Sequence, residues 1–165
     1  MIVKLLWRMT ATLMALSMST AAWASHGHQH DGHHHDDEAF SAGEPGDPKR
    51  PARIVPITMR EADGKMLFVP QEVDVKKDEQ VKFVIRNNGE LDHEFILATT
   101  AENFKHAEAM KTNPDMEHDD PNGKRLAPRT SGEILWRFTK TGEFEFACLI
   151  PGHREGGMVG KVVVK

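Results

Sequence analysis

From Arg53 to the C-terminus, apolar side chains recur at every second position, and this period of two constrains the fold more than any other feature of the chain. Val73 and Val75 alternate with Glu72, Asp74 and Lys76. Val81, Phe83 and Ile85 run with Lys82 and Arg86 on the other parity. Ile134, Trp136 and Phe138 share one face, and Phe144, Phe146 and Cys148 share another. The alternation breaks at Asp63-Gly64, Asn87-Asn88-Gly89, Ser131-Gly132 and Thr141-Gly142, where Asp, Asn and Gly accept the dihedral angles of tight turns. Strands are therefore expected over 54–59, 66–69, 72–77, 80–86, 93–99, 133–138, 143–148 and 158–164. Many short strands, each with one buried face, make an all-β Greek-key β-sandwich over residues 53–165. One short helical insertion is expected at 101–111 (AENFKHAEAMK), where Phe104 and Ala107 are three apart and His106 and Met110 four apart. The polar run that follows is too long for a hairpin connection.

The first 52 residues stand outside that pattern. Residues 1–24 combine a basic start (Lys4, Arg8), a short apolar stretch and Ala22-Trp23-Ala24, a small–x–small cleavage pattern. They read as a secretory signal peptide cut after Ala24, which implies an exported, periplasmic protein with no membrane attachment after cleavage. Residues 25–52 hold almost nothing apolar except Phe40 and a few alanines, so a disordered tail is expected. Its His26, His28, His30, His33, His34 and His35 lie among Asp and Glu, and Pro45, Pro48 and Pro51 form a stiff spacer before the domain. Six imidazoles beside carboxylates form a loose site of the kind that holds Cu(II) or Ni(II). The alternative is a solvated linker.

Composition matters at two points. One cysteine excludes an internal disulfide framework and a Cys-rich zinc module. A formal net charge of −4 argues against a nucleic-acid partner, which selects for a basic surface.

The sharpest chemical signal is the segment FEFACLIPGHREGGMVGKVVVK, which places Cys148, His153 and Met158 in a C-x4-H-x4-M spacing. Cys148 shares parity with Phe144 and Phe146, so its sulfur points inward. Pro151-Gly152 turns the chain back toward that sulfur, and Gly156-Gly157 allows a second reversal. Upstream, His93 shares parity with Phe95 and Leu97. Singly, each residue would read as packing: a small core Cys, a hydrogen-bonded His, a gap-filling Met. Together, two imidazoles, a thiolate and a thioether form the ligand set of a type 1 copper site. A redox-inert zinc site would more often combine several Cys and His. A further set, His106, Met110, Met116 and His118, offers two imidazoles and two thioethers near acidic residues. Against a second metal site there stands the simpler reading that Met110 packs the helix onto the sandwich.

The run from Cys148 to Val164 resembles the ligand loop and last strand of the cupredoxins, and FVPQEVDVKKDEQVKFVIRNNGELDHEFIL resembles their strand pair ending at the first His ligand. The Cys-to-His spacing is similar to that of azurin and rusticyanin. With its His-rich front, the layout looks most like the periplasmic copper-tolerance cupredoxins of the CopI type. That resemblance implies a mononuclear Cu(I)/Cu(II) centre and a role in copper tolerance and homeostasis, with a cytochrome or copper-handling protein as a redox partner. The alternative is a mobile one-electron carrier between respiratory or photosynthetic partners, which would dock through an apolar patch around His153. Arg154 and Glu155 flank that residue and weigh toward tolerance. Enzymatic activity is not expected, because a copper oxidase or reductase needs a further catalytic copper site. Two residues depart from the family pattern. Glu94 follows His93 where plastocyanin and azurin have Asn, and Leu149 follows Cys148 in place of Ser or Thr. The side-chain link between the two ligand segments should be missing, leaving a perturbed, green-absorbing centre with a shortened Met158 contact.

Overall fold

The computed structural model describes residues 40–113 and 120–165. Residues 1–24, read above as a signal peptide, the tail histidines His26 to His35, and Met116 and His118 of the long loop lie outside the described residues. No helix among the described residues is long and apolar enough to cross a membrane.

Among the described residues, ten strands and one helix follow in the order β1 (Glu44–Pro45), β2 (Arg53–Ala62), β3 (Lys65–Val69), β4 (Glu72–Val75), β5 (Gln80–Asn87), β6 (His93–Ala98), α1 (Thr100–Thr112), β7 (Gly123–Leu126), β8 (Ser131–Arg137), β9 (Gly142–Ala147) and β10 (Val159–Val164). They form two five-stranded sheets, β1-β8-β5-β2-β3 and β4-β10-β9-β6-β7. Each sheet is mixed: β2 pairs β5 and β10 pairs β4 in parallel, and the other ladders are antiparallel. This is the β-sandwich that the alternation implies, with every expected strand present.

The inward parities meet in one core. Phe68, Phe83, Phe95, Phe146 and Trp136 are fully buried. Phe95 stacks on Phe146 with ring centroids 5.0 Å apart, and Phe68 meets Phe146 edge-on at 5.1 Å. Such ring pairs contribute about 0.5–1.5 kcal/mol each beyond the area they bury.

Strand β6 departs from simple alternation, because all six of its residues are buried. Helix α1 covers its outer face, where Ile96 joins Met110, Ala147 and Leu149 in a second apolar cluster. Thr99 caps the helix: its hydroxyl accepts the Glu102 N–H while the Glu102 carboxylate accepts the Thr99 N–H.

Residues 40–52 correct the expected boundary at residue 53. Phe40 meets the Trp136 ring edge-on at 5.3 Å, and the Ala42 carbonyl accepts the Trp136 indole N–H at 3.1 Å. Glu44 and Pro45 then pair with Arg137 and Trp136 of β8. The spacer is anchored as well: Gln80 accepts the Asp47 N–H at 2.8 Å and donates to the Asp47 carbonyl at 3.0 Å. Gly43 permits the approach, since its φ is +134° and a Cβ there would lie 2.1 Å from the Arg137 carbonyl oxygen. Strand β7 lacks the alternation, because its two buried residues, Gly123 and Leu126, are three apart and so lie on opposite faces.

Candidate metal centre

Three ligating side chains converge at one end of the sandwich. His93 opens β6, Cys148 follows directly on β9, and His153 sits in the loop joining β9 to β10. One ligand atom from each lies within 4.8 Å of the others, and all three residues are buried. Nδ1 of His93 is 3.2 Å from Nδ1 of His153, which is 3.3 Å from Cys148 Sγ. The two imidazole rings are inclined at 66° with centroids 5.1 Å apart.

The loop is fixed by its own main chain. Cys148 N–H donates to the Met158 carbonyl and Met158 N–H to the His153 carbonyl, both at 3.1 Å, while His153 N–H donates to Ile150 at 3.0 Å. The two turns fall at Pro151-Gly152 and Gly156-Gly157, as read from the sequence, with φ of +88° at Gly152 and +99° at Gly157. Met158 is fully buried where the loop closes, between Cys148 and β10.

Around these groups the electrostatics favour neutral donors until a cation arrives. Burial pushes the Cys148 thiol up to about 12, opposed by the N–H groups of Glu94 and Ile150. Burial, then the neighbouring His93, lowers the His153 imidazole below its ordinary value. Two imidazole nitrogens, a thiol sulfur and an adjacent buried thioether suit copper in both oxidation states, since the soft sulfurs accommodate Cu(I) and the imidazoles also Cu(II).

Glu94 modifies the expected gap between the ligand segments. Its carboxylate oxygens are buried without a hydrogen-bond partner, and burial raises its pKa against the opposing effect of Arg125. The link is made instead by its main chain, whose N–H donates to Cys148 Sγ at 3.3 Å.

Arg154, read from the sequence as a charge beside His153, is turned away. Its guanidinium sits 3.9 Å from the centroid of the Phe104 ring and pairs with Glu145 at 2.9 Å. The charge argument against a docking surface therefore loses Arg154. Of the second candidate set, Met110 is fully buried in the apolar cluster under α1, as its packing role requires, and His106 lies on the same helix.

One residue of the site was missed. Glu61, near the end of β2, brings Oε1 to 2.8 Å from His93 Nε2. The same carboxylate accepts the N–H groups of Glu90 at 3.0 Å and Leu91 at 3.1 Å. Burial acts to raise its pKa, but these N–H groups, its own N–H and His93 together hold it below the ordinary value. The available signal was parity, because Glu61 continues the inward series Val55, Ile57, Met59.

Residues 55–165 match the family described as copper binding proteins, plastocyanin/azurin family, and the chain belongs to that family. It is thus a cupredoxin, a copper-binding β-sandwich protein. Over 155 residues it is 47% identical to the copper-resistant cuproprotein CopI of Rubrivivax gelatinosus, covering 94% of this chain and 92% of that protein. A protein of the same name from Pseudomonas aeruginosa is 32% identical over 152 residues, covering 74% of this chain and 82% of that protein. Among solved structures, auracyanin A, a "blue" copper protein from Chloroflexus aurantiacus, superposes with a TM-score of 0.55 at 23% identity. That match covers 68% of this chain and 99% of auracyanin A, and shows likeness of fold.

Proposed function

We propose that this protein binds one copper ion through Nδ1 of His93, Sγ of Cys148 and Nδ1 of His153, with the Met158 thioether as the weak fourth ligand, and that this centre serves copper tolerance in the periplasm. The observation that carries the reading is the buried convergence of those three ligand atoms within 4.8 Å. When bound, copper would supply a one-electron couple. The protein holds the donors in place through the main-chain bonds of the 148–158 loop and excludes water by burial, which limits rearrangement between oxidation states. Similarity to copper-resistance proteins along most of the chain supports the tolerance role, and the apolar-run start with its Ala-Trp-Ala cleavage pattern supports export. Copper ions are the ligand, and a cytochrome or copper-handling protein is the expected redox partner. The His26–His35 tail is proposed to bind additional copper, and the protein is read as a copper handler without a catalytic turnover of its own.

The test is a Cu(II) titration of the exported protein, of Cys148→Ser, and of a variant with the six tail histidines replaced by Ser. Absorption and electron paramagnetic resonance are recorded at each step. One equivalent with intense thiolate-to-copper absorption, lost in Cys148→Ser, is expected, with a strong higher-energy band beside the low-energy one. Further equivalents lost only in the tail variant, together with copper-sensitive growth of a deletion strain, support tolerance. Unchanged growth on copper, with fast exchange of electrons with a cytochrome, would favour the carrier reading.

A further inference from the structure

We propose that Glu61 is a positioning residue for the copper centre: its carboxylate takes the Nε2–H of His93, fixing the tautomer that presents Nδ1 to Cys148 and His153. The inference deepens the copper reading and rests on His93 being a ligand.

Four observations carry it. The Oε1–Nε2 distance is 2.8 Å, and the His93 side chain is fully buried while that of Glu61 is 28% exposed. An ionised carboxylate has no proton to give, so the imidazole must donate from Nε2 and its lone pair must lie on Nδ1. That nitrogen is the one 3.2 Å from His153 Nδ1. The carboxylate is itself held, with Oε2 accepting Glu90 N–H and Oε1 accepting Leu91 N–H as well as His93. Finally, space is kept for it: a Cβ on Gly89 would lie 2.4 Å from Glu61 Oε2.

An imidazole that donates to a carboxylate is a stronger base toward metal on its other nitrogen. The gain is larger for the more highly charged oxidation state, so Glu61 favours Cu(II) over Cu(I). Replacing such a group typically weakens metal affinity about 10- to 100-fold. Glu61→Gln keeps an acceptor oxygen and removes the charge. It should weaken Cu(II) relative to Cu(I) about tenfold, raising the reduction potential by about 59 mV for a one-electron couple. Gly89→Ala leaves both Glu61 and His93 in the chain but displaces the carboxylate, and should shift the potential in the same direction.

The experiment has two arms. Nitrogen-15 NMR of the metal-free protein reads the His93 tautomer, expected as Nε2–H in the wild type and as a mixture or Nδ1–H in Glu61→Ala. Voltammetry of the copper-loaded wild type, Glu61→Gln and Gly89→Ala reads the potential. An Nδ1–H tautomer in the wild type overturns the proposal. So does a Glu61→Gln potential corresponding to less than a twofold change in relative affinity, or a Gly89→Ala potential that stays at the wild-type value. Failure of the underlying reading looks different: His93→Ala would then keep the wild-type thiolate-to-copper absorption, whatever the tautomer.

Discussion

The Arg154–Glu145 pair ties the metal-ligand loop to the helix side of the sandwich, and its removal tests that role quantitatively. Arg154 donates from Nη2 to Glu145 Oε2 at 2.9 Å and from Nε to Oε1 at 3.3 Å. The side chains are 17% and 8% exposed. Truncation to Ala strands the Glu145 carboxylate with Asn103 Nδ2, at 3.2 Å, as its remaining side-chain donor. Breaking a fully buried pair costs about 3–5 kcal/mol, whereas exposed pairs are worth about 0–1 kcal/mol. Residual solvent and the retained Asn103 bond place this pair between those limits, at about 2 kcal/mol. Loss of the Arg154–Phe104 contact adds about 0.5–1 kcal/mol. Arg154→Ala should therefore lower stability by about 2.5–3 kcal/mol and Tm by roughly 10 °C, at about 4 °C per kcal/mol for a domain of this size. The assay is urea denaturation of the metal-free protein as a double-mutant cycle with Glu145→Ala, with an expected coupling of about 2 kcal/mol. A coupling below about 0.5 kcal/mol, as exposed pairs give, would refute the reasoning. The thiolate-to-copper absorption should survive, because His153 keeps its main-chain bonds to Ile150 and Met158.

Phe40→Ala should cost about 2 kcal/mol, roughly half the price of a fully buried Phe, while copper binding stays intact; a Tm within about 2 °C of wild type would return residues 40–45 to the tail. Met110→Ala should cost about 2–4 kcal/mol through the cavity left under α1 and leave copper stoichiometry unchanged, whereas a lost equivalent would make Met110 a ligand. The Cys148 thiol, raised from 9.0 to about 12 in the folded protein, stabilises the metal-free fold fully below pH 9 and loses that contribution as pH rises toward 12. Metal-free wild type should accordingly lose about 2 kcal/mol more than Cys148→Ala between pH 8 and about pH 10.5; parallel urea midpoints for the two proteins would contradict it. Copper loading at neutral pH should release one proton from that thiol, counted by calorimetry in buffers of different ionisation enthalpy, and Cys148→Ser should abolish the release.

What the sequence revealed follows from the length of each signal. Strands such as β5 and β8 repeat their parity often enough to be seen, and Cys148, His153 and Met158 lie so close in the chain that local turns bring them together. His93 was legible because it shares the parity of Phe95 and Leu97. Strand β1 has only two residues, too few for a period, and its anchor, Phe40, stands alone in a polar run. Glu61 looked like an ordinary surface carboxylate because its partner is His93, on another strand and across a loop. Arg154 was misplaced for a related reason: the sequence gives its position beside His153, but its direction is set by Phe104 on α1 and Glu145 on β9. Pairings between distant segments were the part that residue spacing could not encode.

The closing of the 148–158 loop upon itself divides the centre into a portable half and a fixed half. Three of the four proposed donors travel in one short segment whose ends meet through the Cys148–Met158 main-chain bond, so this segment could be exchanged for one of another length while the strands on either side stay paired. His93 and its carboxylate belong to the framework, where β6, the 88–92 loop and β2 lock together. Loop length can thus vary the coordination sphere from one side, and a framework carboxylate can set its electronic character from the other. The two halves are open to change independently, by natural variation or by design.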